Sequence, residues 1–231
     1  MTRVSLVLLG LTLLTVLGLA NLAPAESSDA VARGKKIFND TGDDFEWPSC
    51  AHCHAIVSAK EEAEKTGHVK PAYPVLNTSN RGAWKNKAKG TLKTAGDAGN
   101  ICVRAFQKRK KLPAEQVSDL NAYLASVSPS KDVKPRKIKY APKVLEDFSG
   151  GNAEEGKKKV QLYCAGCHGS GDNSVIWELK KGRKKRLRVA QKVRGYTRKG
   201  EFKANNGMMS FFAIERLPDK DLKDIIAYVG K

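Results

Sequence analysis

The five residues Cys50–His54, CAHCH, return as CAGCH at Cys164–His168. The flanks repeat as well. "RGKKIFND" from Arg33 precedes the first copy, and "EGKKKVQLY" from Glu155 precedes the second. Further on, "KKLPAEQVSDLNAYLASV" (Lys110–Val127) matches "ERLPDKDLKDIIAYVGK" (Glu215–Lys231), with Leu112-Pro113 on Leu217-Pro218. Each unit therefore reads as a helix, CxxCH, a loop-rich middle and a closing helix. Pro113 and Pro218 stand where a first helical residue belongs, with acids in the first turn. Val117, Leu120, Tyr123 and Leu124 recur at helical spacing, as do Leu222, Ile225, Ile226 and Val229. These stripes are expected to pack on the first helix of their own unit. Between the units, residues 128–149 carry three prolines and many lysines, which suits an extended linker.

Two thiols two residues apart on one helical turn can reach the two vinyl groups on one side of a porphyrin. The adjacent imidazole then faces the iron, which is why CxxCH attaches c-type haem. On this reading Cys50, Cys53 and His54 hold haem 1, and Cys164, Cys167 and His168 hold haem 2. A redox dithiol and half of a zinc site are the other readings of a CxxC pair. Two copies behind short helices favour haem. Units of roughly 100 residues with few apolar side chains are marginal as plain folds, and a large buried cofactor would complete their cores.

Both halves resemble class I cytochromes c: an N-terminal helix with "GKK", then CxxCH, a ligand loop and a C-terminal helix containing "AY". The resemblance spans residues 30–127 and 152–231. It implies an all-α protein of two tandem class I cytochrome c domains, each wrapped around a covalently attached haem. The implied division is a signal peptide over 1–25, domain 1 over 26–127, a linker over 128–149 and domain 2 over 150–231.

The family places a methionine before the last helix. In the second half "NNGMMSFFAIERLP" offers Met209 as the distal ligand of haem 2, with Met208 as competitor. Apart from Met1, the first half has no methionine. Aligning the Leu-Pro pairs sets Met209 on Arg104 and Met208 on Val103, beside Cys102, the odd one of the chain's five cysteines. Cys102 is thus a candidate distal ligand of haem 1. A thiolate there would favour ferric iron and lower the potential. His68 is the rival, an open sixth site a third alternative, and a buried inert thiol or an intermolecular disulfide the plain ones. His52, between the haem cysteines, is expected to face away.

Arg3 and the apolar run Val4–Ala25, ending in "APA" before polar "ESSDA", describe a secretory signal peptide cleaved after Ala25. An uncleaved anchor is the alternative, since a span needs roughly 20 residues. Export to the periplasm follows. The net charge is +18. Residues 180–203 hold twelve Lys or Arg and one acid, a field that steers acidic redox partners or anionic head groups. Export argues against nucleic acid. Trp177, Tyr196 and Phe202 are expected in haem-pocket packing. Peripheral membrane association and membership of a larger redox complex stay open.

Three functions follow. The first is an electron carrier with two haems of unequal ligation. The second is a haem enzyme oxidising a small sulfur anion such as thiosulfate. There the pairing resembles that of diheme thiosulfate dehydrogenases and of the haem subunit of the sulfur-oxidation complex, with Arg104, Lys108 and Arg109 as anion-binding candidates. The third is a module binding a small gas.

Overall fold

The computed structural model describes residues 27–81, 84–86, 90–130, 141–169, 183–203 and 211–230. The leader 1–25, Trp177, Met208 and Met209 lie outside the described residues. In the first half, α1 (Ser28–Asn39) leads to α2 (Cys50–Cys53) and α3 (Glu62–Thr66). A hairpin of β1 (Trp84–Asn86) and β2 (Gly90–Leu92) follows, then α4 (Ala95–Ala105) and α5 (Ala114–Ser126). The second half repeats the frame with α6 (Ala153–Tyr163), α7 (Ala165–His168), α8 (Arg183–Arg194) and α9 (Asp219–Val229). The architecture is helical. The antiparallel hairpin, pairing Trp84 with Leu92 and Asn86 with Gly90, is an addition to the all-α expectation.

The helix starts are chemically marked. The Ser27 hydroxyl accepts from the Ala30 amide, Asn152 accepts from Glu154 and Glu155, and Thr94 forms a capping box with Asp97. Pro113 and Pro218 prove to be N-caps rather than first helical residues. Their ψ of 159° and 152° is extended, so each closing helix starts one residue later.

In each half the first helix crosses the last, α1 on α5 and α6 on α9. Both crossings are made at glycine. A Cβ on Gly34 would stand 1.9 Å from the Asp119 carbonyl oxygen, and one on Gly156 2.0 Å from that of Asp224. Around the first crossing Phe38, Leu120, Tyr123 and Leu124 are buried with Val103 and Leu112. The Phe38 and Tyr123 rings lie 5.3 Å apart. Around the second, Val160, Leu222, Ile225 and Ile226 are buried with Ala190, Val193, Phe212 and Leu217. The apolar stripes pack as their spacing predicts. Asp119 is paired by both nitrogens of an Arg33 fork at 2.8 Å.

The segment read as a linker is packed at its described ends. Val144, Leu145 and Phe148 lie against the second core, and the Ala141 carbonyl accepts from the Tyr196 hydroxyl at 2.6 Å. Its apolar residues, overshadowed in sequence by lysine and proline, take it onto domain 2. Tyr196 and Phe202 meet edge to face at 5.7 Å, and Phe202 remains 41% exposed.

Candidate functional site

The first site is built on the single turn of α2. Ser49 and His52 cap it reciprocally: the His52 Nδ1 accepts from the Ser49 amide at 3.2 Å and lies 2.8 Å from its hydroxyl. His54 leaves the turn with extended dihedrals, φ −124° and ψ 132°. The segment 72–75 runs alongside, Ala72 donating to the Cys53 carbonyl and Val75 to that of Ala55. Between these two bonds, His54 Nδ1 lies 2.6 Å from the Tyr73 carbonyl. A carbonyl can only accept, so Nδ1 carries the proton and Nε2 keeps its lone pair for a metal. Burial pulls the His54 pKa down, which keeps the ring neutral.

Cys50 and Cys53 are partly buried, and burial pushes both thiols up to about 12. The Cys102 thiol, on α4, lies close enough to contribute to both shifts. Its own pKa is raised by burial. The residues after α4 hold it there. Gln107 Nε2 donates to the Pro48 carbonyl at 2.9 Å, and Arg109 pairs with Asp40 at 2.9 Å while its guanidinium stacks 3.9 Å above Trp47. The odd cysteine thus lies near enough to feel the charge of the two attachment cysteines. Of the anion-binding candidates, Arg109 is engaged by Asp40 and Trp47, while Arg104 and Lys108 are exposed.

In the second site Cys164 caps α7 and packs on the second core. Burial raises its thiol to about 12 and lowers the His168 pKa. The two sites meet. The Cys167 Sγ lies 3.7 Å from the His52 carbonyl oxygen, and the Val69 amide donates to the Leu162 carbonyl at 2.8 Å. His68 stands here too, its Nδ1 3.0 Å from the Gln161 carbonyl and its ring beside Gly166. His52 and His68 both line the cleft between the halves, with Lys70, Tyr163 and Cys167. His68 is therefore placed against the second half. Among the described residues, no three His, Cys, Asp or Glu side chains gather as a metal-binding group.

The donor set fits haem: paired thiols on one turn, and a partly buried neutral imidazole with its outer nitrogen tied. A family model described as cytochrome c matches residues 31–128. One described as cytochrome C oxidase, cbb3-type, subunit III matches residues 151–229. The chain is a diheme c-type cytochrome. No curated protein matches the cytochrome. Among solved structures, thiosulfate dehydrogenase (TsdBA) from Marichromatium purpuratum, in its "as isolated" form, is similar at 16% identity and a TM-score of 0.38. That alignment covers 87% of the cytochrome and 45% of the solved chain.

Cys50→Ala and Cys164→Ala should each weaken covalent attachment in one domain only. Mass spectrometry after denaturation should show one haem fully retained and the other partly lost. Two fully retained haems would refute the assignment.

Proposed function

We propose that this cytochrome is an exported electron carrier whose two haems differ in their distal ligands. His54 and Cys102 serve haem 1, and His168 and Met209 serve haem 2. Each iron, when bound, supplies a one-electron ferrous–ferric couple. The observation that carries the reading is the contact of the two attachment motifs, with Cys167 Sγ 3.7 Å from the His52 carbonyl. An electron entering one domain needs no diffusing intermediary to reach the other. A thiolate at haem 1 and a thioether at haem 2 set the potentials apart and give transfer a direction.

The basic helix α8 is the docking face. Arg188, Lys192 and Arg198 lie within repulsive range of one another. Burial, and then the charge of Arg198, lowers the Arg188 pKa; burial, Arg188 and Arg198 lower that of Lys192. A carboxylate-rich redox protein would relieve that repulsion. The reversal Arg188→Glu/Arg198→Glu should slow reduction by an acidic electron donor at least tenfold at low ionic strength. The difference should vanish in about 1 M salt, where the screening length is ~3 Å. Stopped-flow absorbance checks both, and rates that ignore charge and salt would remove α8 from the encounter. Oxidation of a sulfur anion at haem 1 needs cations gathered near Cys102. The engaged Arg109 and the exposed Arg104 and Lys108 leave the carrier reading ahead.

A further inference from the structure

Arg216 belongs to the second half by sequence, directly before Leu217-Pro218 and α9. Its side chain is 6% exposed and reaches into the first half. Nη2 meets the Glu62 carboxylate at 2.5 Å and the Lys70 carbonyl at 2.6 Å, and the guanidinium lies 5.6 Å over the Tyr73 ring. Glu62 is wholly buried. Its other oxygen accepts from the Lys70 amide at 2.9 Å. Three features of segment 70–73 thus converge on one arginine: the Lys70 amide through Glu62, the Lys70 carbonyl directly, and the Tyr73 ring. The Tyr73 carbonyl is the group that takes the His54 proton.

We propose that Arg216 is a positioning residue for the haem 1 site: it clamps segment 70–73 from the opposite domain, and through the Tyr73 carbonyl fixes the orientation of the His54 ring. A hydrogen bond from the outer nitrogen sets the basicity of a ligating imidazole, so the clamp bears on the haem 1 potential. The second domain therefore completes the ligand shell of the first. The inference rests on His54 as a haem 1 ligand. It holds whichever group lies on the distal side, so its failure leaves Cys102 and the carrier reading untouched.

The test uses the full-length protein with both haems attached. Arg216→Met alone strands a buried carboxylate, so it is paired with Arg216→Met/Glu62→Met, which replaces the ion pair by apolar groups of similar length. Arg216→Lys keeps the charge but loses the planar fork that serves two acceptors and stacks on a ring. Redox titration resolved by haem, together with low-temperature EPR, reads the result. The double variant and the lysine variant should both shift the haem 1 midpoint and alter its g-values, with haem 2 unmoved. An effect confined to haem 2, equal at both haems, or absent from both would overturn the proposal. A merely structural staple would lower the melting temperature and leave both haem spectra as they were.

Discussion

Gly156→Ala should cost the second domain a large share of its stability, about 3 kcal/mol. The new Cβ would sit 2.0 Å from the Asp224 carbonyl oxygen, 2.6 Å from its carbon and 2.7 Å from the Tyr228 Cβ. None of these atoms can swing aside, so α6 and α9 must part along their whole contact. Overpacking a core typically costs about 1–3 kcal/mol, and a clash with backbone belongs at the top of that range. Set against total stabilities of about 5–15 kcal/mol, the loss is severe. Gly34→Ala should do the same in the first domain, where the nearest atom is 1.9 Å away. Gly99→Ala is the control. Its Cβ would meet only the end of the Leu120 side chain at 3.2 Å, and alanine favours a helix by up to ~1 kcal/mol. It should melt within about 1 kcal/mol of wild type by this reckoning. Circular dichroism with haem absorbance separates the three. A Gly156→Ala protein that melts like wild type would mean that the two helices do not cross there.

Cys102→Met should turn haem 1 into a second His/Met haem. Axial ligands command roughly 0.8 V of potential, and exchanging an anionic thiolate for a neutral thioether should raise haem 1 by a few tenths of that span. The oxidised wild type should show a low-spin EPR signal with the narrow g-spread of thiolate ligation, and the variant should lose it. An unchanged spectrum would leave Cys102 as packing and remove the basis for unequal haems. If the signal is lost, turnover with thiosulfate in both proteins becomes the assay that separates carrier from enzyme.

Much of this was legible before any fold was known. CxxCH is a chemical demand rather than a propensity, so its duplication named the cofactor and counted the domains. The stripe Leu120, Tyr123 and Leu124 marked the buried face of α5, because burial follows helical spacing. The glycine crossings were harder to foresee. Gly34 and Gly156 open the GKK motif of each first helix, and only the 1.9–2.0 Å approach shows why nothing larger fits. The hairpin at Trp84–Leu92 was missed because three-residue strands carry no usable alternation. Least legible was the surface between the halves. Glu62 and Arg216 lie 154 positions apart, and nothing in the local sequence around either one marks a buried charge. His52, expected to face away between the haem cysteines, lines the cleft with the second half.

The Glu62–Arg216 pair also bears on how such a chain can arise and change. Tandem duplication suggests interchangeable beads, each free to be lost, copied or traded. Here one bead has sunk a carboxylate into its wall and the other carries the counter-ion. A second unit recruited from elsewhere without an arginine at that place would leave Glu62 charged and bare in the interior, which is strongly destabilising. A change at position 62 or 216 alone leaves the other group without its buried partner. Exchange of one unit therefore succeeds only where the incoming half brings the complementary group to this buried pair.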